Sequence, residues 1–156
     1  MKLAVSESWI EAPLRRFVSE ARVQLAVVLQ ASGQALGQYG FSRSVEVMSA
    51  CALSAAIHAT AGELGKMLDG APFTGLHYAG RDRQVFLGKL SEGERPLLLL
   101  AVFDDESSLG LVQLYLREFG ANLAAAEPRV EDEAPALAGD FERELNHNLA
   151  ILFGRA

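Results

Sequence analysis

The chain has 156 residues, half of them hydrophobic, with a formal net charge of −6 and a single cysteine. That length suits one domain with a real core and a short tail, and an acidic balance without a basic cluster argues against nucleic acid or anionic lipid as a partner. A lone cysteine excludes an internal disulfide, and no unbroken apolar run approaches the roughly 18 to 20 residues that cross a bilayer. The opening stretch MKLAVSESWIE holds too few apolar residues for a secretory leader. The expectation is a cytoplasmic protein without membrane insertion, whose partners are other proteins.

From Glu7 to Arg22, apolar Ile10, Leu14, Phe17, Val18 and Ala21 recur at spacings of three and four, which predicts an amphipathic helix. Pro13 is accommodated if the helix proper starts near Ala12. Val23 to Gln30 is short, β-branched and almost wholly apolar, the composition of a buried strand. Ala31, Ser32 and Gly33 turn the chain back into a second strand, Gln34 to Tyr39, forming an antiparallel hairpin. Gly33, Gly37 and Gly40 do not make a phosphate-binding loop, because their spacing is wrong and no Lys-Ser or Lys-Thr follows.

Ser44 to about Leu68 is the longest helical stretch. Val45, Met48, Ala52, Ala55 and Ala59 make a narrow, mostly small row expected to lie close on a sheet, and Leu53, Ile57, Ala61 and Leu64 make a second apolar row. A helix apolar on two sides is buried on two sides, yet the remaining chain offers no obvious second cover. The surplus points to self-association, most simply a symmetric dimer. Cys51, set among Ala and Ser in this helix, reads as an inert packing residue.

Asp69, Gly70 and Pro72 end the helix. Phe73 to Ala79, Gln84 to Leu90 and Pro96 to Phe103 read as three strands separated by turns. The last has no polar alternation, so it needs cover on both faces and belongs at the centre of the sheet. Asp104, Asp105, Glu106, Ser107 and Ser108 break it. The serines can cap the following helix, and the acids precede it where the helix dipole favours negative charge. Leu109, Val112, Leu116, Phe119 and Leu123 form that helix's inward stripe.

Ala124 to Asp140, with Pro128, Pro135, Gly139 and Glu131-Asp132-Glu133, has the composition of a linker. Phe141, Leu145, Leu149 and Leu152 then recover helical spacing, an amphipathic segment that docks either on the body of the protein or on a partner. The expected organisation is a domain over residues 1–126, an acidic Pro-containing linker over 127–139 and a C-terminal helix over 140–156. Nothing in the chain reads as an active site. His58, His77 and His147 are too far apart for a local metal motif, the acidic triplet lacks EF-hand spacing and the serines lack a nucleophile elbow. No cofactor or metal is expected.

The order helix, hairpin, helix, three-stranded meander, helix gives an α/β sandwich around one five-stranded antiparallel sheet. The junction Ala101-Val102-Phe103-Asp104-Asp105 with Ser107 to Val112, the hairpin Ala26 to Leu29 with Gly33, the Ala-rich long helix, and Gly75 to Gly80 with His77 together resemble the Roadblock superfamily, most closely its MglB-like regulators of small GTPases. The likeness covers about residues 8–125. It implies a sandwich with the long helix on one face of the sheet and the first and third helices on the other. It implies a homodimer in which the strands at Phe73 to Ala79 pair across a two-fold axis, with Leu53, Ile57, Ala61, Leu64, Leu76 and Tyr78 at the interface.

The implied partner is a Ras-like, MglA-like GTPase in bacterial polarity or gliding motility, whose hydrolysis is stimulated without an inserted arginine finger. The C-terminal segment is implied to touch that partner as well. Arg43 sits awkwardly near a helix start, where the dipole disfavours a cation. It is either an ordinary surface residue or, with Ser42, Glu46 and Ala50, part of the face that meets the GTPase. The competing reading is a non-catalytic dimerisation or adaptor module.

Overall fold

The computed structural model describes residues 3–91, 95–128 and 143–152. In chain order the elements are β1 (Leu3–Val5), α1 (Ser8–Ala21), β2 (Leu25–Gln30), β3 (Ala35–Tyr39), α2 (Ser44–Asp69), β4 (Gly75–Ala79), β5 (Gln84–Lys89), β6 (Leu97–Phe103) and α3 (Leu109–Ala126). A further helix, α4, covers residues 143–152. The strands form one antiparallel sheet in the order β1-β3-β2-β6-β5-β4.

Six strands stand where the sequence suggests five. The additional one, β1, is three residues long and pairs with β3 from Leu3 opposite Tyr39 to Val5 opposite Gly37. So short a segment carries no readable alternation, and only its pairing makes it a strand. The unbroken apolar strand β6 lies inside the sheet as expected, between β2 and β5. Side-chain alternation sends Leu97, Leu99, Ala101 and Phe103 to one face and Leu98 to the other.

The first face is covered by α1 and α3. Ile10, Leu14, Phe17, Val18 and Ala21 of α1 and Val112, Phe119 and Leu123 of α3 are buried with Ala26, Val28 and Phe86 of the sheet. The rings of Phe17 and Phe119 stack with centroids 5.1 Å apart, locking the two helices side by side. Arg16 crosses the outside of this seam, bonding Glu20 at 3.0 Å and Glu118 at 2.6 Å. Helix α1 starts at Ser8, ahead of the expected Ala12, and so keeps Pro13 inside it. The proline forgoes one ladder bond, and its buried ring is part of the packed face.

The expected capping of α3 is present: Ser108 Oγ accepts from Leu111 N at 3.2 Å. Asp104 works as a local brace. One of its carboxylate oxygens accepts from Glu106 N at 3.0 Å and the other from Gln24 Nε2 at 2.5 Å, while Ser107 Oγ donates to the Ala21 carbonyl at 2.5 Å. The β6–α3 junction is thereby tied to the end of α1 and the start of β2.

The opposite face belongs to α2, and here the sequence reading needs correction. The row of Val45, Met48, Ala52, Ala55 and Ala59 is expected against the sheet, but Val45 and Met48 are 53% and 71% exposed. The buried residues are Val47, Cys51, Ser54 and Gly65. Of these, Val47 and Cys51 pack with Val27, Leu29, Leu87 and Leu98. Rotation about the helix axis decides which row goes inward. At the far end it is set by the returning chain, since a Cβ on Gly65 would stand 2.4 Å from Phe73 N. Only a residue without a side chain lets the segment leading to β4 pass so close. Cys51, 1% exposed, is the packing residue anticipated.

Candidate interaction surface

Helix α2 begins after Arg43, whose extended backbone provides the entry but whose side chain makes no capping bond, and it ends at Gly70 in the left-handed conformation. It is 26 residues long, the one described helix long and apolar enough by length and composition to cross a membrane. It is nonetheless seated on the sheet through Val47 and Cys51.

The direction of each flank of α2 follows from its neighbours. Met48 lines a groove with Ala4 of β1 and Gln38 of β3, and Ala55 lies 3.8 Å from the site a Cβ on Gly33 would occupy. That flank therefore looks toward the hairpin side of the sheet. Helical geometry puts Leu53, Ile57 and Leu64 on the other flank, toward β5 and β4. There the sheet is bare. Leu76 and Tyr78 of β4 stand opposite Leu87 and Val85 of β5 and so share the α2 face. Tyr78 is 58% exposed and Leu76 and Val85 are only half-buried.

Leu53, Ile57 and Leu64 are 65%, 38% and 49% exposed, and Ala61 is half-buried. The result is an apolar trough walled by the outer flank of α2 and floored by the edge of the sheet. Strand β4 is the last strand of that sheet, so its outer backbone edge has no neighbouring strand among the described residues. An exposed edge beside an exposed apolar surface is a ready template for strand pairing.

Glu46 and Ala50 continue the row of Leu53 and Ile57 toward the start of α2, at steps of four and three residues. The two sets that the sequence treats separately thus lie end to end on one flank. Ser42, Arg43 and Glu46 are exposed and Ala50 is half-buried. Arg43 Nη1 stands 4.0 Å from Glu46 Oε1, a loose surface pair that leaves the guanidinium accessible. Exposed Met67 and Leu68, at the far end of the same helix, are not singled out by the sequence. Hydrophobicity alone does not separate them from core residues.

In α4, Leu145, Leu149 and Leu152 recur at helical spacing and are 46%, 41% and 77% exposed. Phe141, the fourth residue expected with them, lies outside the described residues, as does most of the segment read as a linker. Of the three histidines, His58 is half-buried on α2 while His77 and His147 are exposed on β4 and α4. Among the described residues no three His, Cys, Asp or Glu side chains gather as metal ligands.

Most of this architecture is matched by solved structures. Myxococcus xanthus MglB superposes with a TM-score of 0.67 at 23% identity, over 77% of this chain and 95% of that one. The chain has the Roadblock fold. The gliding protein MglB of Thermus thermophilus agrees equally well, with a TM-score of 0.67 and 21% identity over 80% of this chain and 95% of that one. A Roadblock/LC7 domain from Streptomyces avermitilis follows at 0.63 and 13% identity, over 71% of this chain and 91% of its own. No family model and no curated protein sequence matches the chain. The Roadblock likeness is therefore one of backbone fold, at sequence identities of 13% to 23%.

Proposed function

We propose that this protein is a cytoplasmic homodimer that regulates a Ras-like, MglA-like small GTPase, in bacterial polarity or gliding motility. The observation that carries the proposal is the trough between α2 and β4. In the dimer, the β4 edges of two copies pair and continue the sheet, while the two α2 helices lie together over the strands that one copy leaves bare. Leu53, Ile57, Ala61, Leu64, Leu76 and Tyr78 meet their counterparts there. Fully burying a side chain such as Leu53 contributes roughly 1.5 to 3 kcal/mol. Two sets of three large residues, already partly covered, contribute an amount comparable with the association cost of about 4 to 15 kcal/mol, and the strand pairing adds to it.

The start of α2, with Ser42, Arg43, Glu46 and Ala50, then presents the GTPase-binding face. The partner's own catalytic groups do the chemistry, and the dimer acts by binding the hydrolysis-competent conformation more tightly than the alternatives. The apolar face of α4, with Leu145, Leu149, Leu152 and Phe141 before it, adds a second contact to the partner. The likeness to MglB structures supports this reading, as does the exposed apolar row of Leu53, Ile57 and Leu64 beside the unpaired edge of β4.

The test is single-turnover GTP hydrolysis by an MglA-like GTPase with and without this protein. Acceleration that persists in Arg43→Ala with only a modest affinity change supports the indirect mechanism. A loss of about 10³ to 10⁵ in rate would make Arg43 an inserted finger instead. Binding without any acceleration would make the protein an adaptor.

A further inference from the structure

The sheet has a second open edge, on the hairpin side, at β1. Its hydrogen-bond phase follows from one contact. Ser6 N donates to the Leu36 carbonyl at 2.8 Å. Bonded and unbonded pairs alternate along an antiparallel ladder, so in the register from Leu3 opposite Tyr39 to Val5 opposite Gly37 it is Ala4 that bonds inward, to Gln38. Leu3 and Val5 therefore turn their N–H and C=O groups outward, where no strand stands beside them among the described residues. Side chains alternate with the same period. Leu3 and Val5 pack on the core under α1, which leaves Ala4 exposed on the α2 face.

Over Ala4 that face is hollow. A groove of about 380 Å³ is floored by Ala4 and Gln38 and walled by Val47 and Met48 of α2, and the loop after β3 supplies Phe41 and Arg43. The cause is local: α2 is seated on the sheet through Val47 and Cys51, and beyond that line β1 offers only the Ala4 methyl group to fill the space. Gln38 Oε1 accepts from Phe41 N at 3.2 Å and so pins the loop. Arg43 is the one charged residue in this lining, and its exposed guanidinium has only the loose contact with Glu46. Because the loop follows Tyr39, which faces Leu3, Arg43 lies toward the Leu3 end of β1.

We propose that this edge and groove bind an extended peptide segment of a partner protein, added antiparallel to β1 as a further strand. The two segment residues opposite Leu3 and Val5 take up the four outward backbone groups. The residue between them stands opposite Ala4, so its side chain falls on the α2 face, and a large apolar one fills the groove against Val47 and Met48. Two positions on, past the Leu3 end, the same face of the segment meets Arg43, where an Asp or Glu is complementary in charge. The pattern recognised is a large apolar residue, any residue, then an acid. The site shares Ser42 and Arg43 with the face proposed for the GTPase, but it rests on the bonding phase of β1 and not on that reading or on the dimer.

The experiment is an NMR titration of the full chain with the end-blocked peptide Thr-Thr-Leu-Thr-Glu-Thr, together with amide hydrogen exchange. Saturable shifts are expected at Ala4 and Met48, and exchange at Leu3 and Val5 should slow at least fivefold. N-methylation of the two threonines flanking the leucine blocks the edge that faces β1 and should weaken binding tenfold or more. N-methylation of the leucine, whose N–H points away from β1, should change it less than threefold. Arg43→Glu should weaken binding at least fivefold and reverse the preference in favour of a peptide with lysine in place of glutamate. Arg43 is exposed, so a matching amide spectrum verifies the fold of that variant. Absence of saturable binding, equal affinity for peptides N-methylated on either edge, or indifference to Arg43→Glu would overturn the proposal. So would protection of the Leu3 and Val5 amides that grows with protein concentration in the absence of peptide, since the edge would then belong to a second copy.

Discussion

Two residues show how much local chemistry decides. Ser108 is followed by the free amides of the first turn of α3, and its hydroxyl takes one of them. Ser108→Ala should lower the unfolding free energy by about 1 kcal/mol, readable in urea titrations, whereas Ser108→Asp should retain most of it. Cys51 is pressed between α2 and the sheet, and burial pushes its thiol up from its ordinary value. The native state therefore holds its proton more tightly than the unfolded chain. The associated stability is complete below about pH 8.5 and is lost as the pH climbs past the ordinary thiol range toward the raised value. A disulfide reagent at pH 8 should label Cys51 only at the rate of unfolding. Rapid stoichiometric labelling of the native protein would show that the thiol is accessible after all.

Among the elements, α2 is the easiest to recognise and the hardest to orient. Its length, its start after Arg43 and its stop at Gly70 are written in composition and turn chemistry. Its rotation is not, because two apolar rows at the same spacing are equivalent until something packs against one of them. The inner row runs through Val47, Cys51 and Ser54, and the outer flank of Leu53, Ile57 and Leu64 is left in solvent. The double substitution Leu53→Glu with Ile57→Glu should leave the circular dichroism spectrum of the protein intact and convert a dimer to a monomer in analytical ultracentrifugation. An unchanged sedimentation coefficient would remove this flank from any interface. The fourth helix is tested by truncation after Pro128: partner affinity should fall while the core remains folded, because the described residues of α4 are all exposed.

For the whole molecule, one sheet serves two purposes. The face under α1 and α3 is closed by a continuous core, whereas the face under α2 is covered at the hairpin side and bare toward β4. The proposed symmetric dimer would place two such bare halves together. At concentrations where the dimer forms, thermal stability should therefore rise with protein concentration, by an amount that the Leu53→Glu, Ile57→Glu variant abolishes. A midpoint independent of concentration would leave the trough to another partner.

The order of the longer elements, the central position of β6, the cap at Ser108 and the packing role of Cys51 were legible in the sequence, because each depends on periodicity or on chemistry within a few residues. The resemblance at the β6–α3 junction rested on the same kind of local pattern and led to the right fold. Strand β1 and the rotation of α2 were decided only in three dimensions. So was the groove that gathers Ala4, Gln38 and Met48 from β1, β3 and α2. These features depend on which surfaces come to face each other, and spacing along a chain carries no record of that until the sheet has closed.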